Sequence, residues 1–194
     1  MLWKIGYSLP NGKSFCFTSR SCTSSIGLMA LKQFHPDRVP DHPLIDGQAH
    51  RLNDYVLGTS LPEGCAVMVR DPVERFRSNL GKMGVTADNA FAWLWWHYGL
   101  GTPPQATDRM VLEYTAGTTW HHFTPVSMFA QADSKLFRFP DVAGMAAYLG
   151  LTGDVENINV CADKPTLTAD DEAKVRSIYA ADIALWESLP HTEG

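Results

Sequence analysis

The stretch CAVMVRDPVE, residues 65–74, decides the fold because a short apolar run passes directly into a helix start. Its first half shows little alternation of polar and apolar residues, which is typical of a strand covered on both faces in a central parallel sheet. Asp71, Pro72 and Glu74 then supply an N-cap, a proline at the first helical position and a glutamate at the third. We therefore predict a strand that ends on Arg70 and a helix that begins directly after it.

Strand and helix patterns continue on both sides of this stretch. Residues 3–8 and 14–18 flank an Asn-Gly turn and predict a β-hairpin. An apolar-rich helix over residues 26–34 is expected to end at His35-Pro36. The remaining predicted elements are a buried helix at 88–98, a strand at 134–139, a helix at 141–149, a short strand at 157–160 and a long helix from Thr168 towards Leu189. Together they predict one α/β domain over residues 1–194, with an N-terminal β-hairpin and a mainly parallel central sheet flanked by helices.

The composition and charge exclude several classes of protein. With 194 residues, 45% of them hydrophobic and 19% charged, the chain fits a globular domain and not a disordered, collagen-like or coiled-coil protein. Sixteen Lys and Arg against 21 Asp and Glu give a formal net charge of −5, so no field of the whole molecule attracts nucleic acid. An anionic ligand must then be bound by a local pocket.

Cysteine spacing and hydropathy bear on three further features: disulfide bonds, zinc sites and membrane spans. Cys16, Cys22, Cys65 and Cys161 form no C-x-x-C pair, which predicts neither a disulfide framework nor a zinc site. The N-terminal residues break at a Pro-Asn-Gly turn, and no apolar run approaches the roughly 20 residues that a membrane span needs. We expect a cytoplasmic protein with no membrane, nucleic-acid or metal partner.

The helix that begins at Pro72 is the first candidate for a binding site. A helical wheel of residues 72–80 gives one apolar arc, formed by Pro72, Val73, Phe76 and Leu80. Ser78 falls on the other side and is predicted to face away from the core, where it could meet Arg70 and the helix start around an anion. The alternative is a capped surface helix in which Arg70 pairs with a carboxylate.

The loop Ser19–Ser25 is a second candidate for an anion site because it consists mainly of small residues and is rich in hydroxyl groups. Its hydroxyls and amide hydrogens could surround an oxyanion, with Arg20 supplying charge, although Ser/Thr-rich turns that cap helices are also common. The string G-x-x-x-x-G-K-[ST] of a Walker A loop is absent. Leu28 stands where a cysteine phosphatase loop beginning at Cys22 would need arginine, so Cys22 is expected to be a buried filler.

Taken together, these segments resemble the sulfotransferases that use 3′-phosphoadenosine 5′-phosphosulfate (PAPS), and most closely their carbohydrate-type branch. Residues 70–78, RDPVERFRS, are similar to the 3′-phosphate motif R-D-P-x-x-R-x-x-S, which implies that Arg70 and Ser78 hold the 3′-phosphate. The loop at 19–25 is similar to the 5′-phosphosulfate loop P-K-x-G-[ST]-[ST]-[ST], with Ser19, Arg20 and Cys22 in place of the proline, lysine and glycine. The residues that the resemblance assigns to the 5′ end are Arg20, Ser21, Cys22, Thr23, Ser24 and Ser25.

Weaker similarities continue in the same order along the chain. Residues 121–127, HHFTPVS, are similar to a family segment H-x-x-P-x-S. Asn157 or Asn159, then residues 164–168, KPTLT, and finally Tyr179 and Asp182 are similar to a closing pattern of N, K-x-x-L-T and Y-x-x-D. The resemblance therefore implies a P-loop-like sulfotransferase fold over nearly the whole chain.

The resemblance implies transfer of a sulfuryl group from PAPS to a hydroxyl or amine of a small molecule or glycan, without an obligatory metal. For the general base we consider His122 first and His121 second, with a structural histidine as the alternative for each. The departures at Arg20 and Cys22 favour a second hypothesis, a catalytically silent nucleotide-binding or interaction protein. A kinase-like phosphotransferase is disfavoured by the missing Walker string, and a second copy of the chain is a further candidate for completing the pocket.

Three other groups of residues are expected to be structural. Asp182 falls on the apolar stripe of the last helix, so its carboxylate needs a buried partner. Glu74 is explained by helix capping. Trp93, Trp95 and Trp96 are expected to pack, although an exposed tryptophan there could stack on a sugar acceptor.

Overall fold

A computed structural model describes the chain over residues 6–16, 21–39, 62–103, 120–155 and 164–191. Within these residues, four strands form one mixed sheet in the order β1-β2-β3-β4. They are β1 Gly6–Ser8, β2 Ser14–Cys16, β3 Ala66–Val69 and β4 Lys135–Arg138. The first two strands are antiparallel, whereas β2–β3 and β3–β4 are parallel. The predicted α/β class, the N-terminal hairpin and the mainly parallel sheet are confirmed.

Six α-helices lie within the described residues. They are α1 Thr23–Phe34, α2 Pro72–Met83, α3 Ala87–Tyr98, α4 Val142–Tyr148, α5 Ala169–Ile178 and α6 Ala180–Ser188. Three short 3₁₀ helices accompany them, at Pro36–Arg38, Trp120–Phe123 and Val126–Met128. Asp71 Oδ1 accepts hydrogen bonds from the backbone nitrogens of Val73 (2.8 Å) and Glu74 (3.0 Å), so α2 begins where the proline and the cap predict.

The sheet is covered on both faces, which explains the unbroken apolar run of β3. Ala66 and Met68 pack into one cluster with apolar residues of α1 and α4. Val67 and Val69 point the other way and pack with Val126 and with residues of α6. A third apolar cluster joins α2, α3 and α5 around Phe76. Every residue of β3 is therefore buried.

The predicted long helix from Thr168 is two helices in the structure. The chain leaves helical geometry at Tyr179, where φ is −100° and ψ is 25°. The break lets α5 pack against α2 while α6 packs against β3. The apolar stripe in the sequence continues through Tyr179 to Ile183 and Trp186, so it does not reveal this break.

Two predictions of exposure are also corrected. Ser78 was predicted to face away from the core, but it is 1% exposed, and the neighbouring Arg75 is 2% exposed. A second layer that includes α5 and residues 120–123 packs against α2, so the part of its polar side that carries Arg75 and Ser78 is covered as well. Conversely, the helix predicted to be heavily buried over 88–98 is buried only in its middle, and Trp96 is 52% exposed.

Two remaining sequence predictions concern a strand and the membrane. The short strand predicted at 157–160 lies outside the described residues. Over the ranges that are described, none of the helices combines the length and the apolar character needed to cross a membrane.

Candidate functional site

Two strands of the sheet end side by side and each is followed by a helix. Because β2 and β3 are parallel, with Phe15 opposite Ala66, their carboxyl ends open at the same edge of the sheet. Helix α1 follows β2 and helix α2 follows β3, so two helix N-termini lie near this edge. Backbone N–H groups and the helix dipole make such ends favourable for an anion. This edge is the candidate site.

Arg70 is the first residue after β3 and is held at this edge. Its side chain is 14% exposed, its guanidinium lies 4.9 Å from the centre of the Phe139 ring, and its Nη2 atom is 4.0 Å from Glu74 Oε2. The pairing with a carboxylate is what the structural alternative predicts. At 4.0 Å, however, it is an electrostatic contact and not a hydrogen bond.

Glu74 is surrounded by three basic side chains. We call the four residues Arg70, Glu74, Arg77 and Lys164 the Glu74 cluster. Glu74 Oε1 accepts a hydrogen bond from Arg77 Nη1 at 2.6 Å, and Oε2 accepts one from Lys164 Nζ at 3.0 Å. Burial alone would raise the pKa of the Glu74 carboxyl, but Lys164 and Arg77 outweigh burial and the pKa lies below its ordinary value. The cluster thus sets three cations against one carboxylate.

The sequence predicts a capping role for Glu74 and gives no sign that Arg77 or Lys164 belongs to the site. The cap is made by Asp71, and the Glu74 side chain is engaged by the cations instead. Lys164 lies 90 residues from Glu74, so no local pattern links the two. Arg77 lies within the segment similar to the 3′-phosphate motif, at a position to which that motif assigns no role.

Ser78 lies on the same face of α2 as Glu74, one turn further along, because residues four apart are neighbours on a helix. With Ser78 only 1% exposed, a ligand reaches the hydroxyl only if a neighbouring side chain moves. The two residues assigned to the 3′-phosphate therefore lie on either side of Glu74 along the chain.

The loop after β2 is described in part. Arg20 lies outside the described residues, and Thr23 is described only as the first residue of α1. Ser21 and Ser25 are buried, and Ser24 is half-buried. The hydroxyl-rich start of α1 therefore lies at the predicted edge, while the predicted catalytic role of Arg20 stays a prediction.

Cys22 has an unusual backbone conformation for its residue type. Its φ of 63° and ψ of 7° place it in the left-handed region, and it is the one residue other than glycine with a positive φ in the described part of the chain. Glycine is the residue that adopts this conformation at least cost. Burial raises the pKa of the Cys22 thiol, which disfavours a nucleophilic thiolate.

Residues 122–127 are fixed by hydrogen bonds from several helices. Three side chains donate to carbonyl oxygens of this segment: Asn79 to that of His122, Tyr179 to that of Phe123, and Arg75 to that of Thr124. The backbone nitrogens of Val126 and Ser127 donate to the Asp182 carboxylate. In addition, the Tyr98 hydroxyl lies 2.8 Å from Thr124 Oγ1. Backbone groups of this segment are thus held from α2, from α6 and from the Tyr179 junction, and the Thr124 hydroxyl is held from α3. The segment similar to H-x-x-P-x-S is therefore tied to several helices.

His122 is placed beside α2 by this arrangement. Its carbonyl accepts a hydrogen bond from Asn79 Nδ2 at 2.7 Å, and Asn79 follows Ser78 directly. Asn79 is about two turns, or roughly 10 Å along the axis, from the start of α2. This contact brings the backbone of His122 to the Ser78 turn. The side chain of His121 is not described, and the role of either histidine as a base stays a prediction.

The predicted structural role of Asp182 agrees with its surroundings. Asp182 Oδ2 is 3.4 Å from Arg75 Nη2, and the two side chains are 1% and 3% exposed. Arg75 also donates from both terminal nitrogens to the Thr124 carbonyl at 3.0 Å. The arginine and aspartate of two separate similarity segments thus form one buried pair.

Arg138, at the end of β4, shows that a strand-end arginine need not bind a ligand. It donates to the carbonyl oxygens of Trp186 (3.1 Å) and Leu189 (2.8 Å) at the end of α6 and lies over the Trp186 ring. These contacts satisfy the last carbonyls of a helix. Arg70 instead contacts the partly exposed Glu74 carboxylate at 4.0 Å, a contact that a ligand anion could replace.

Neither a metal site among the described residues nor a related protein adds to this description of the site. Across the described ranges there is no group of three or more His, Cys, Asp or Glu that could hold a metal ion. No protein-family model matches this chain, and no curated protein and no solved structure matches it either.

Proposed function

We propose that this protein binds a 3′-phosphorylated adenosine nucleotide across the carboxyl ends of β2 and β3. In this proposal it transfers the sulfuryl group of PAPS to a hydroxyl or amine of a small molecule or glycan. The observation that carries the proposal is the parallel pairing of β2 with β3, which brings the hydroxyl-rich start of α1 and the strand-end Arg70 to one edge. Ligands of open α/β sheets bind at this kind of edge.

The 3′-phosphate is assigned to Arg70 and Ser78. A guanidinium binds a phosphate through charge-assisted hydrogen bonds, which are stronger than neutral ones. Arg70 follows β3 directly, and Ser78 lies on the face of α2 that also carries Glu74. The surplus of positive charge in the Glu74 cluster gives a net attraction for a dianion in a chain whose overall charge is −5.

The 5′-phosphosulfate is assigned to the loop before α1, with Arg20 as its cation. In the transfer step, the acceptor oxygen or nitrogen attacks the sulfur in line, and the bond between sulfur and the bridging phosphate oxygen breaks. The leaving bisphosphate takes the electron pair, and the acceptor proton passes to a base, for which His122 is the proposed group. N–H groups at the start of α1 and the Arg20 charge would stabilise the developing negative charge.

Calorimetry with two nucleotides tests the binding proposal. Wild-type protein is titrated with 3′,5′-bisphosphoadenosine and with adenosine 5′-phosphate, beside Arg70→Ala. Lys135→Ala is the control, because Lys135 is an exposed cation at the first residue of β4, on the opposite edge of the sheet. We expect wild-type protein to prefer the bisphosphate and Arg70→Ala to lose about tenfold or more of that preference, as for a lost hydrogen bond to a charged group. Equal binding of both nucleotides by wild-type protein contradicts the proposal.

A catalytically silent nucleotide-binding protein is the second candidate. It is favoured by Arg20 and Cys22, which stand where the resemblance implies a lysine and a glycine. The contact of the His122 carbonyl with Asn79, the residue after Ser78, also favours it. Transfer of ³⁵S from labelled PAPS to a panel of hydroxyl and amine acceptors separates the candidates. Bisphosphate binding without transfer to any acceptor supports the silent protein, and a preference for ATP supports a phosphotransferase.

A further inference from the structure

We infer that the Glu74 cluster is a phosphate subsite in which Arg77 and Lys164 bind ligand oxygens beside Arg70. In this account, the Glu74 carboxylate is an internal competitor that occupies the cations until a ligand phosphate replaces it. The inference rests on the proposed function, because it concerns the 3′-phosphate end of the same nucleotide site.

The charges in the cluster are unbalanced. Arg70, Arg77 and Lys164 approach one carboxylate with nitrogen–oxygen distances of 4.0, 2.6 and 3.0 Å. Arg77 and Lys164 alone bring two positive charges to this one carboxylate, which leaves at least one in excess. A phosphate monoester carries nearly two negative charges and offers three acceptor oxygens. Such a group balances the cluster better than the carboxylate does.

The cluster is open enough for exchange. The side chains of Arg77, Lys164 and Glu74 are 30%, 31% and 38% exposed, so a ligand can approach from solvent. Arg70 is the least exposed of the four, and its contact with Glu74 is the longest of the three. A phosphate that enters here would compete with Glu74 for these contacts.

Lys164 is held at the site although it belongs to a distant part of the chain. Arg77 Nε donates to the carbonyl oxygen of Pro165 at 3.1 Å, while Arg77 Nη1 contacts Glu74. Arg77 therefore connects α2 to the segment that precedes α5 and keeps the Lys164 ammonium beside the carboxylate. A forked guanidinium and a compact ammonium suit the several oxygens of a phosphate.

The position of Ser78 supports the same account. Ser78 is buried one turn after Glu74 on the same face of α2, so Glu74 is one of its neighbours on the helix. Movement of the Glu74 side chain towards solvent would release the cations and uncover the helix surface next to Ser78.

The test uses single charge changes with matched controls. Glu74→Gln removes the competitor, and Lys164→Met removes one cation; each is titrated with 3′,5′-bisphosphoadenosine and separately with inorganic pyrophosphate. Glu63→Gln and Lys135→Met are the controls, because Glu63 and Lys135 are exposed and lie before β3 and at the start of β4, at the opposite edge. We expect Glu74→Gln to tighten bisphosphate binding about fivefold, the factor for two unit charges about 4 Å apart in water. Lys164→Met should weaken it about tenfold, and both controls should leave it unchanged.

A double variant separates a local effect from a general change of charge. In the Lys164→Met background, the gain from Glu74→Gln should shrink, because one of the released cations is absent. Arg77→Met provides a second way to remove a cation if Lys164→Met does not fold. Unchanged or weaker binding of both anions by Glu74→Gln overturns the inference.

The two proposals fail in different ways. If wild-type protein binds both adenosine nucleotides equally, the proposed function fails, yet tighter pyrophosphate binding by Glu74→Gln would still support an anion subsite. If wild-type protein prefers the bisphosphate and Glu74→Gln does not bind it more tightly, the proposed function stands. In that case the inference that Glu74 competes with a ligand phosphate is wrong.

Discussion

Glu74 and Arg75 are consecutive residues of α2, but they belong to two charged clusters of different construction. Arg75 pairs with Asp182 in the interior, where both side chains are almost fully buried. Asp182 also accepts hydrogen bonds from the backbone nitrogens of Val126 and Ser127. Glu74 is 38% exposed and faces three cations. One cluster has matched charges, and the other has a surplus of positive charge.

The difference indicates which cluster is structural and which is available to a ligand. Burying an unbalanced charge is costly, so an interior pair must match its charges and fill its hydrogen bonds. The Arg75–Asp182 pair meets both conditions and joins α2 to residues 124–127 and to α6. A surplus of charge persists only where solvent can reach it, and a charged ligand can reach the same place. The following predictions test this contrast.

Removal of Asp182 should have the largest effect. Asp182→Ala leaves Arg75 charged and buried without its carboxylate, which costs about 3–5 kcal/mol of unfolding free energy. Urea unfolding followed by circular dichroism measures the loss. The control is Asp170→Ala, an exposed carboxylate in the first turn of α5. A loss below about 1 kcal/mol for Asp182→Ala would contradict the structural role of the pair.

Removal of one buried hydroxyl should have the next largest effect. Tyr179→Phe leaves the Phe123 carbonyl without its donor, which costs about 1–3 kcal/mol because the acceptor stays buried. The same unfolding measurement applies. Tyr148→Phe is the comparison, since Tyr148 donates to the Gly64 carbonyl from a half-buried position and should cost less. Equal losses of unfolding free energy for the two variants would contradict the expected difference between a buried and a half-buried hydrogen bond.

Replacement of Cys22 by glycine should have a smaller effect of opposite sign. The left-handed φ of 63° is strained for cysteine, whereas glycine adopts it freely. After the extra entropy that glycine loses on folding, the net gain should be at most about 1 kcal/mol. Cys22→Ala keeps the strain and should be less stable than Cys22→Gly in thermal unfolding. The reverse order would show that this backbone conformation is not strained.

Glu74→Gln should change stability least while it increases anion binding. The Glu74 pairs are exposed and screened, so the loss at neutral pH should stay within about 1 kcal/mol. The pKa of Glu74 is lowered in the folded state, so its contribution is present above the ordinary pKa of a glutamate and is lost as the pH falls through the lowered value. The difference in unfolding free energy between wild type and Glu74→Gln should therefore vanish in acid. A difference that grows in acid would contradict the ion pairing.

Local signals in the sequence predicted the secondary structure around the site well. The apolar run before Arg70 and the Asp71 cap and proline that follow it predict β3 and the start of α2, because strand burial and capping depend on adjacent residues. Asp182 could likewise be recognised as a buried carboxylate from its place on an apolar stripe. Its partner could not, because Arg75 lies 107 residues away.

The errors have a common physical cause. A helical wheel shows one apolar arc, but it does not show that a second layer covers the polar side, so the burial of Ser78 was missed. The meeting of Lys164 with Glu74 likewise depends on tertiary packing across 90 residues. The break at Tyr179 depends on how α5 and α6 pack separately on α2 and β3.

A crystal structure of the complex with 3′,5′-bisphosphoadenosine tests the central claim most directly. We predict the 3′-phosphate within hydrogen-bonding distance of Arg70 and Ser78, with the Glu74 side chain turned away from Arg70. The 5′-phosphate should lie at the start of α1. A nucleotide bound elsewhere, with the contacts of Glu74 to Arg77 and Lys164 unchanged, would contradict the account.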